Sequence, residues 1–163
     1  MTTLTTDEAF RLAVERYADT VYRVAVHAAP RREDAEDVVQ DTYERLLRAD
    51  KKFESDEHLK AWLIRVALNR CHDLCRAASG RDVELDEGIP AAASGSDGHV
   101  LAAVRALPEH YRDAIYLHYY EGYTAAEIGE LLGKPANTIL SWLARGRTRL
   151  QELLKEDIED EVV

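Results

Sequence analysis

Thr124-Ala125-Ala126-Glu127-Ile128-Gly129-Glu130-Leu131-Leu132-Gly133-Lys134-Pro135-Ala136-Asn137-Thr138-Ile139-Leu140-Ser141-Trp142-Leu143 settles the architecture of this 163-residue chain. Thr124 and Glu127 have the spacing of a capping box, in which each side chain accepts from the other residue's backbone N–H at a helix start. Gly133, directly after Leu132, is the residue type that ends helices in the left-handed region. A second helix then opens near Ala136 or Asn137. With Gly133 in the turn, Ile128, Leu132, Ile139 and Leu143 fall where they hold two helices together, and the small Gly129 falls where the helices cross closely. This is the spacing of a helix-turn-helix, whose second helix lies in a DNA major groove with its first residues near base edges. Asn137, Thr138, Leu140, Ser141, Ala144 and Arg145 are then the candidates to meet bases. Arg145 and Arg149, four apart, share a face suited to phosphates or a guanine edge. The plainer reading of the same residues is a helical hairpin that Gly133 merely caps.

Outward from this stretch the chain stays helical. His99 onward carries Val100, Leu101, Val104 and Leu107, with Pro108 placed for the first turn of the next helix. In the first half, Thr5 and Glu8 form another capping box, and Phe10, Val14, Tyr17, Val21, Val24 and Ala28 recur at three and four. These predict one long helix that Pro30 ends. A second pattern runs from about Glu33 to Ala49, with Ala35, Val38, Val39, Thr42 and Leu46 inward. A third begins near Ser55 or Asp56 and carries Leu59, Leu63, Val66, Ala67, Arg70 and Leu74. Helices of this length joined by short turns form an antiparallel bundle. Between the halves, Ala77–Gly98 holds four glycines, three serines, Pro90 and five acids, the composition of a self-repelling linker. The expected fold is all-α: a helical domain over residues 1–78, a flexible acidic linker over 79–98, a helix-turn-helix domain over 99–155 and an acidic tail over 156–163.

Charge narrows the function. The net charge of −10 divides into −2 over residues 1–78, −4 over 79–98, +1 over 99–151 and −5 over 152–163. Phosphate neutralisation dominates DNA affinity, so a chain that gripped DNA unaided would be basic. If this chain reads DNA, a second molecule is expected to supply much of that grip. The start has no basic and apolar leader pattern, and no apolar run approaches the roughly 18 residues of a membrane span, so the chain is expected to be cytoplasmic without membrane insertion. Cys71 and Cys75 fit a reducing compartment. One helical turn apart, they make at most half of a zinc site, and incidental or structural cysteine is the simpler reading. No phosphate-binding glycine loop, nucleophile elbow or paired His-x-x-x-His is present, so neither enzyme chemistry, a cofactor nor a metal is expected.

Two further constellations stand out. Glu33, Asp37, Asp41 and Glu44, at spacings of four, four and three, form an acidic stripe flanked by Asp34 and Glu36. It is either a solvated face or a dock for a basic protein surface. Trp62, Arg65, Asn69, His72 and Arg76 share one face of the third helix, and the preceding loop adds Lys51, Lys52 and Phe53. Cations interleaved with aromatics suit single-stranded DNA, where bases stack while the backbone is neutralised. The alternative places Trp62 and Phe53 in the core.

Taken together, these pieces resemble the extracytoplasmic-function (group IV) sigma factors of bacterial RNA polymerase. Asp34-Ala-Glu-Asp-Val-Val-Gln-Asp-Thr-Tyr43 is similar to that family's region 2.2. Ala61-Trp-Leu-Ile-Arg-Val-Ala-Leu-Asn-Arg70, with Asp73, is similar to regions 2.3 and 2.4. Leu107-Pro-Glu-His-Tyr-Arg112, Gly122-Tyr-Thr-Ala-Ala-Glu-Ile-Gly129 and Pro135–Arg149 are similar to region 4. The resemblance covers residues 10–152 in order. It implies that Glu33, Asp34, Asp37, Gln40, Asp41 and Glu44 dock on core RNA polymerase. It implies that Lys51, Lys52, Phe53, Trp62, Arg65, Asn69, His72 and Arg76 melt and read the minus-ten promoter element. Pro135, Asn137, Thr138, Leu140, Ser141, Arg145 and Arg149 would read the minus-thirty-five element. It further implies an anti-sigma protein as second partner and a monomer when free of polymerase.

Two rival readings remain open on the residues themselves. A conventional helix-turn-helix regulator would dimerise and bind a palindrome alone, and a helical adaptor would never touch DNA. The tail acids Glu152, Glu156, Asp157, Glu159, Asp160 and Glu161 either solubilise the terminus or compete with DNA for Arg145, Arg147 and Arg149. Within the resemblance, Leu140 and Trp142 stand where the family commonly has cations, and Asn137 where glycine is common. Leu140→Arg is expected to strengthen promoter binding and to steepen its salt dependence by about one unit of slope. Equal affinities of mutant and wild type across a salt series would refute this.

Overall fold

A capping box opens the first helix as the Thr5/Glu8 spacing predicts: the Glu8 N–H donates to Thr5 Oγ1 and the Thr5 N–H to Glu8 Oε2, both at 3.2 Å. The structure, a computed structural model, describes residues 3–79 and 96–161. The chain divides into two compact units, Met1–Ile89 and Pro90–Val163. Four helices build the first: α1 (Thr6–Glu15), α2 (Ala18–Ala28), α3 (Arg32–Arg48) and α4 (Asp56–Ser79). Four build the second: α5 (Ser96–Arg105), α6 (Glu109–Tyr119), α7 (Ala125–Leu132) and α8 (Ala136–Glu161). Most of the expected linker lies outside the described residues, although α5 begins within its last turn, at Ser96.

The single helix expected from Thr5 to Pro30 is two. Arg16 and Tyr17 both donate to the Leu12 carbonyl, at 2.8 and 3.3 Å, and Tyr17 sits at φ −115°, ψ 6°, outside the helical basin. The chain turns there without proline or glycine, and Tyr17 at the turn is buried. That turn changes which α1 residues face inward. Ala9 and Ala13 are fully buried, whereas Val14, expected in the stripe, is 47% exposed. Ala29, forced toward extended geometry by Pro30, ends α2 at φ −72°, ψ 146°.

α4 is the axis of this unit, packed by α1, α2 and α3. Its buried surface is therefore wider than one stripe. Leu59, Leu63 and Ala67 are inside as expected, but so are Ile64, Leu68 and Cys71, while Val66, Arg70 and Leu74 are only half-buried. Ser55 caps α4, its Oγ accepting the His58 N–H at 3.1 Å. On α3, Thr42 lies in the core with its hydroxyl donated back to the Val38 carbonyl at 2.7 Å. Tyr43 ties α3 to α1 through its hydroxyl and the Ala13 carbonyl, 3.1 Å apart. Burial first, and Asp19 second, raise the Tyr43 phenol above its ordinary pKa, which keeps that donor protonated.

In the second unit α8 packs against α6, α7 and α5. Pro108 is the N-cap of α6 rather than its first residue. Gly133 ends α7 at φ +71°, a conformation costly for any residue with a Cβ, and Lys134 N–H closes the turn on the Gly129 carbonyl at 2.8 Å. Ile128, Ile139 and Leu143 are buried between α7 and α8 as expected. The fourth member is Leu131 (5% exposed), with Leu132 only half-buried, because the short α7 rolls one position to meet both α6 and α8. A Cβ on Gly129 would stand 2.5 Å from the Lys134 carbonyl oxygen, and one on Gly146 would stand 2.8 Å from Ile115 Cγ1. The first contact is with backbone, which yields least. Gly129→Ala is expected to destabilise this unit by about 1–3 kcal/mol. Urea unfolding followed by Trp142 fluorescence in a Trp62→Phe background measures it, and an unchanged midpoint would rule out a tight crossing at Gly129.

Candidate functional site

The first two and a half turns of α8 separate cleanly into core and solvent sides. Ile139 and Leu143 point into the unit, while Asn137, Leu140, Ser141 and Ala144 are exposed and Thr138 is half-buried. Pro135 is exposed, but its carbonyl accepts the N–H groups of Thr138 and Ile139 at 3.0 and 3.3 Å, so it starts the helix. Trp142 faces sideways and stacks on His110 of α6, with ring centroids 4.7 Å apart and 13° between planes. It works as packing between α6 and α8. Arg145, Arg147 and Arg149 are exposed farther along. Arg147, absent from the expected site residues, donates to the Tyr119 hydroxyl at 3.2 Å, and Arg149 pairs with Glu152 at 3.7 Å. The side chains of the tail acids beyond Glu156 lie outside the described residues.

On α3, Glu33, Asp37, Gln40 and Glu44 are exposed along one edge, with Gln40 Nε2 3.4 Å from Glu44 Oε1. Asp34 and Asp41 are half-buried and already paired. Asp34 lies 3.8 Å from Arg31, and Asp41 Oδ2 accepts from Arg70 Nε at 2.8 Å. Of the six residues Glu33, Asp34, Asp37, Gln40, Asp41 and Glu44, three carboxylates and the amide are therefore exposed, with exposed Glu36 beside them.

The third surface begins where α3 ends. Lys51 and Lys52 are exposed, but Phe53, expected to stack on bases, is 1% exposed. Its ring packs edge-on against Trp62 and His58 at 5.6 and 5.4 Å, and its carbonyl accepts the Leu4 N–H at 2.8 Å. Phe53 thus anchors the loop from inside. Trp62, half-buried, leans on it and keeps part of its indole in solvent. Arg65, Asn69, His72 and Arg76 continue the same α4 face, half-buried and exposed by turns, with Arg76 paired to Asp73 at 2.7 Å. The backbone bridge from Leu4 to Phe53 and the Arg16–Asp56 pair at 2.6 Å both hold the loop where it leads into α4, and neither has a periodicity signal in the sequence. Cys71 is buried, and the Cys75 thiol donates to the Ala28 carbonyl at 3.5 Å. Among the described residues no group of three or more His, Cys, Asp or Glu is placed to hold a metal ion, and no helix is long and apolar enough to cross a membrane.

A helix-turn-helix unit joined in one chain to a separate unit with an acidic edge and a cationic aromatic face defines a DNA-binding transcription regulator of the two-module kind. Known proteins narrow it further. Residues 13–81 match the family described as Sigma-70 region 2, and residues 99–150 match Sigma-70, region 4. The chain is 31% identical to the ECF RNA polymerase sigma factor SigE of Mycolicibacterium smegmatis, over 86% of this chain and 60% of that longer protein. It is 30% identical to RNA polymerase sigma factor CarQ of Myxococcus xanthus, over 75% of each chain. Its structure is similar to that of sigma factor RpoE from Bartonella quintana, solved in complex with the anti-sigma factor NepR, with TM-score 0.69, 27% identity and coverage of 93% and 98% of the two chains. The chain belongs to the extracytoplasmic-function sigma factors of RNA polymerase. Its function is to join core polymerase, direct it to promoters and start transcription.

The Asp41–Arg70 pair and Phe53 separate surface from core effects. Both members of the pair are about one-third exposed, so Asp41→Asn is expected to change unfolding free energy by less than about 1 kcal/mol. Phe53→Ala is expected to cost about 3–5 kcal/mol. Urea denaturation compares them, and equal losses would contradict the placement of Phe53 in the core.

Proposed function

We propose that three surfaces divide the work of this sigma factor. Glu33, Asp37, Gln40 and Glu44 dock on a basic surface of core polymerase, with Asp34 and Asp41 shaping the edge through their own arginine pairs. Lys51, Lys52, Trp62, Arg65, Asn69, His72 and Arg76 engage the minus-ten element as it opens: the lysines meet phosphate and the exposed part of Trp62 meets a base, while Phe53 holds Trp62 in place. Asn137, Leu140, Ser141, Arg145 and Arg149 face the minus-thirty-five element, and Pro135 and Thr138 set the angle at which α8 enters the groove. The chain acts without catalysis of its own, in the cytoplasm where polymerase is, and is held by an anti-sigma protein when silent, as the likeness to the NepR-bound relative supports.

The observation that carries this reading is the exposed α3 edge, whose three carboxylates Glu33, Asp37 and Glu44 stand in solvent on the opposite side of α3 from Ala35, Val38 and Leu46. Charges so exposed contribute little to folding, whereas reversed charge at a complementary interface costs several kcal/mol. The combined change Glu33→Lys, Asp37→Lys and Glu44→Lys is expected to leave the thermal melt nearly unchanged and to weaken association with core polymerase at least about tenfold. A pull-down with purified core and run-off transcription read this out. Wild-type association by a folded triple mutant overturns the assignment.

A further inference from the structure

From Ala136 to Ala144, α8 carries no charged side chain; Lys134 precedes this segment and Arg145 follows it. Its solvent edge consists of one amide, one hydroxyl and two apolar groups: Asn137, Ser141, Leu140 and Ala144. Leu140 is the largest of these and is 53% exposed, although Ile139 beside it and Leu143 one turn on are buried. The core of the unit is thus complete without Leu140, which stands in water on the edge that faces bases. It is three residues after Asn137 and four before Ala144, so the three lie along one side of the helix.

A leucine has no donor or acceptor with which to distinguish the polar edges of bases. The major groove offers it one apolar group, the C5-methyl of thymine, and methyl contact is how apolar side chains read sequence there. We propose that Leu140 is a specificity determinant that packs against the C5-methyl of a thymine in the upstream promoter element. The inference rests on the reading of α8 as the promoter-facing helix and adds to it the chemical group recognised. Asn137, one turn earlier, has the amide that suits an adenine edge. The first turns of α8 therefore read A·T pairs, and guanine contacts fall to the arginines from Arg145 onward.

The test uses holoenzyme reconstituted from the full chain and core polymerase, on a promoter fragment selected by run-off transcription. Each thymine of the upstream element, on either strand, is replaced in turn by deoxyuridine, which removes the methyl and nothing else. At one position the loss is expected to weaken holoenzyme binding about fourfold, the weight of one buried methyl group. Leu140→Ala, which keeps its fold because the side chain is exposed, is expected to bind thymine and uracil equally at that position. The proposal is overturned if every uracil template binds as tightly as thymine, or if the thymine preference survives in Leu140→Ala. A Leu140→Ala loss of the same size with either base marks a protein contact and overturns it as well. A scrambled upstream element that still binds normally removes α8 as the promoter reader; one that abolishes binding keeps that reading whatever the fate of Leu140.

Discussion

Short helices do not hold themselves together in water, because nucleation is costly and each turn adds little. α1, α2, α6 and α7 have only ten, eleven, eleven and eight residues. Each persists because a long neighbour gives it an apolar wall: the 24-residue α4 in one unit and the 26-residue α8 in the other. A long helix covered by short ones on some sides keeps another side in solvent. The Trp62–Arg76 face of α4 and the Asn137–Ala144 edge of α8 are those uncovered sides. Core and working surface are thus two faces of the same helix, and a substitution on either long helix can be assigned to one role by its angular position.

The close approach at Gly129 carries this logic to α8. The Lys134 carbonyl occupies the space a Cβ would need, so the turn between α7 and α8 is short and α8 leaves it at one angle. Gly133 permits the reversal and Pro135 begins the next helix, its carbonyl accepting the N–H groups of Thr138 and Ile139. Trp142 against His110 then fixes rotation about the α8 axis by joining its flank to α6. Direction and rotation together decide which side chains reach a groove. Gly129, Gly133, Pro135 and Trp142 thus set how α8 is presented without being part of its exposed edge.

Much of the helix-turn-helix could be seen in the residues alone, because Thr124, Glu127, Gly129 and Gly133 have backbone roles tied to residue type. What escaped was set by tertiary packing. The turn at Tyr17 has no breaker residue to announce it, and with the helix broken there Val14 lies outward and Ala13 inward. Leu131 displaced Leu132 for a similar reason: an eight-residue helix that touches both α6 and α8 has no single stripe. Phe53 illustrates the harder case, since an aromatic residue beside two lysines has the composition of a base-stacking loop whether its ring points out or in. Only the contacts with Trp62, His58 and the Leu4 backbone decide between them. The acidic edge was visible as spacing, but its narrowing by the Asp41–Arg70 pair was not, because those partners lie 29 residues apart.

The distribution of charge ties these surfaces to one mode of action. DNA affinity grows with each phosphate neutralised, and the first turns of α8 neutralise none. A net charge of −10 disfavours binding of the chain alone to the large excess of non-specific DNA that competes with any promoter. With α3 docked on polymerase as proposed, each weak contact of either unit with a promoter would become intramolecular with respect to the other. The product of two modest preferences then exceeds what either unit achieves alone, while the non-specific grip stays with the polymerase. Adding cations to α8 raises affinity at every sequence and erodes that separation. On the proposed reading of α8, an uncharged edge on an acidic chain would for this reason make promoter choice depend on polymerase, and is not a defect in a DNA-binding protein.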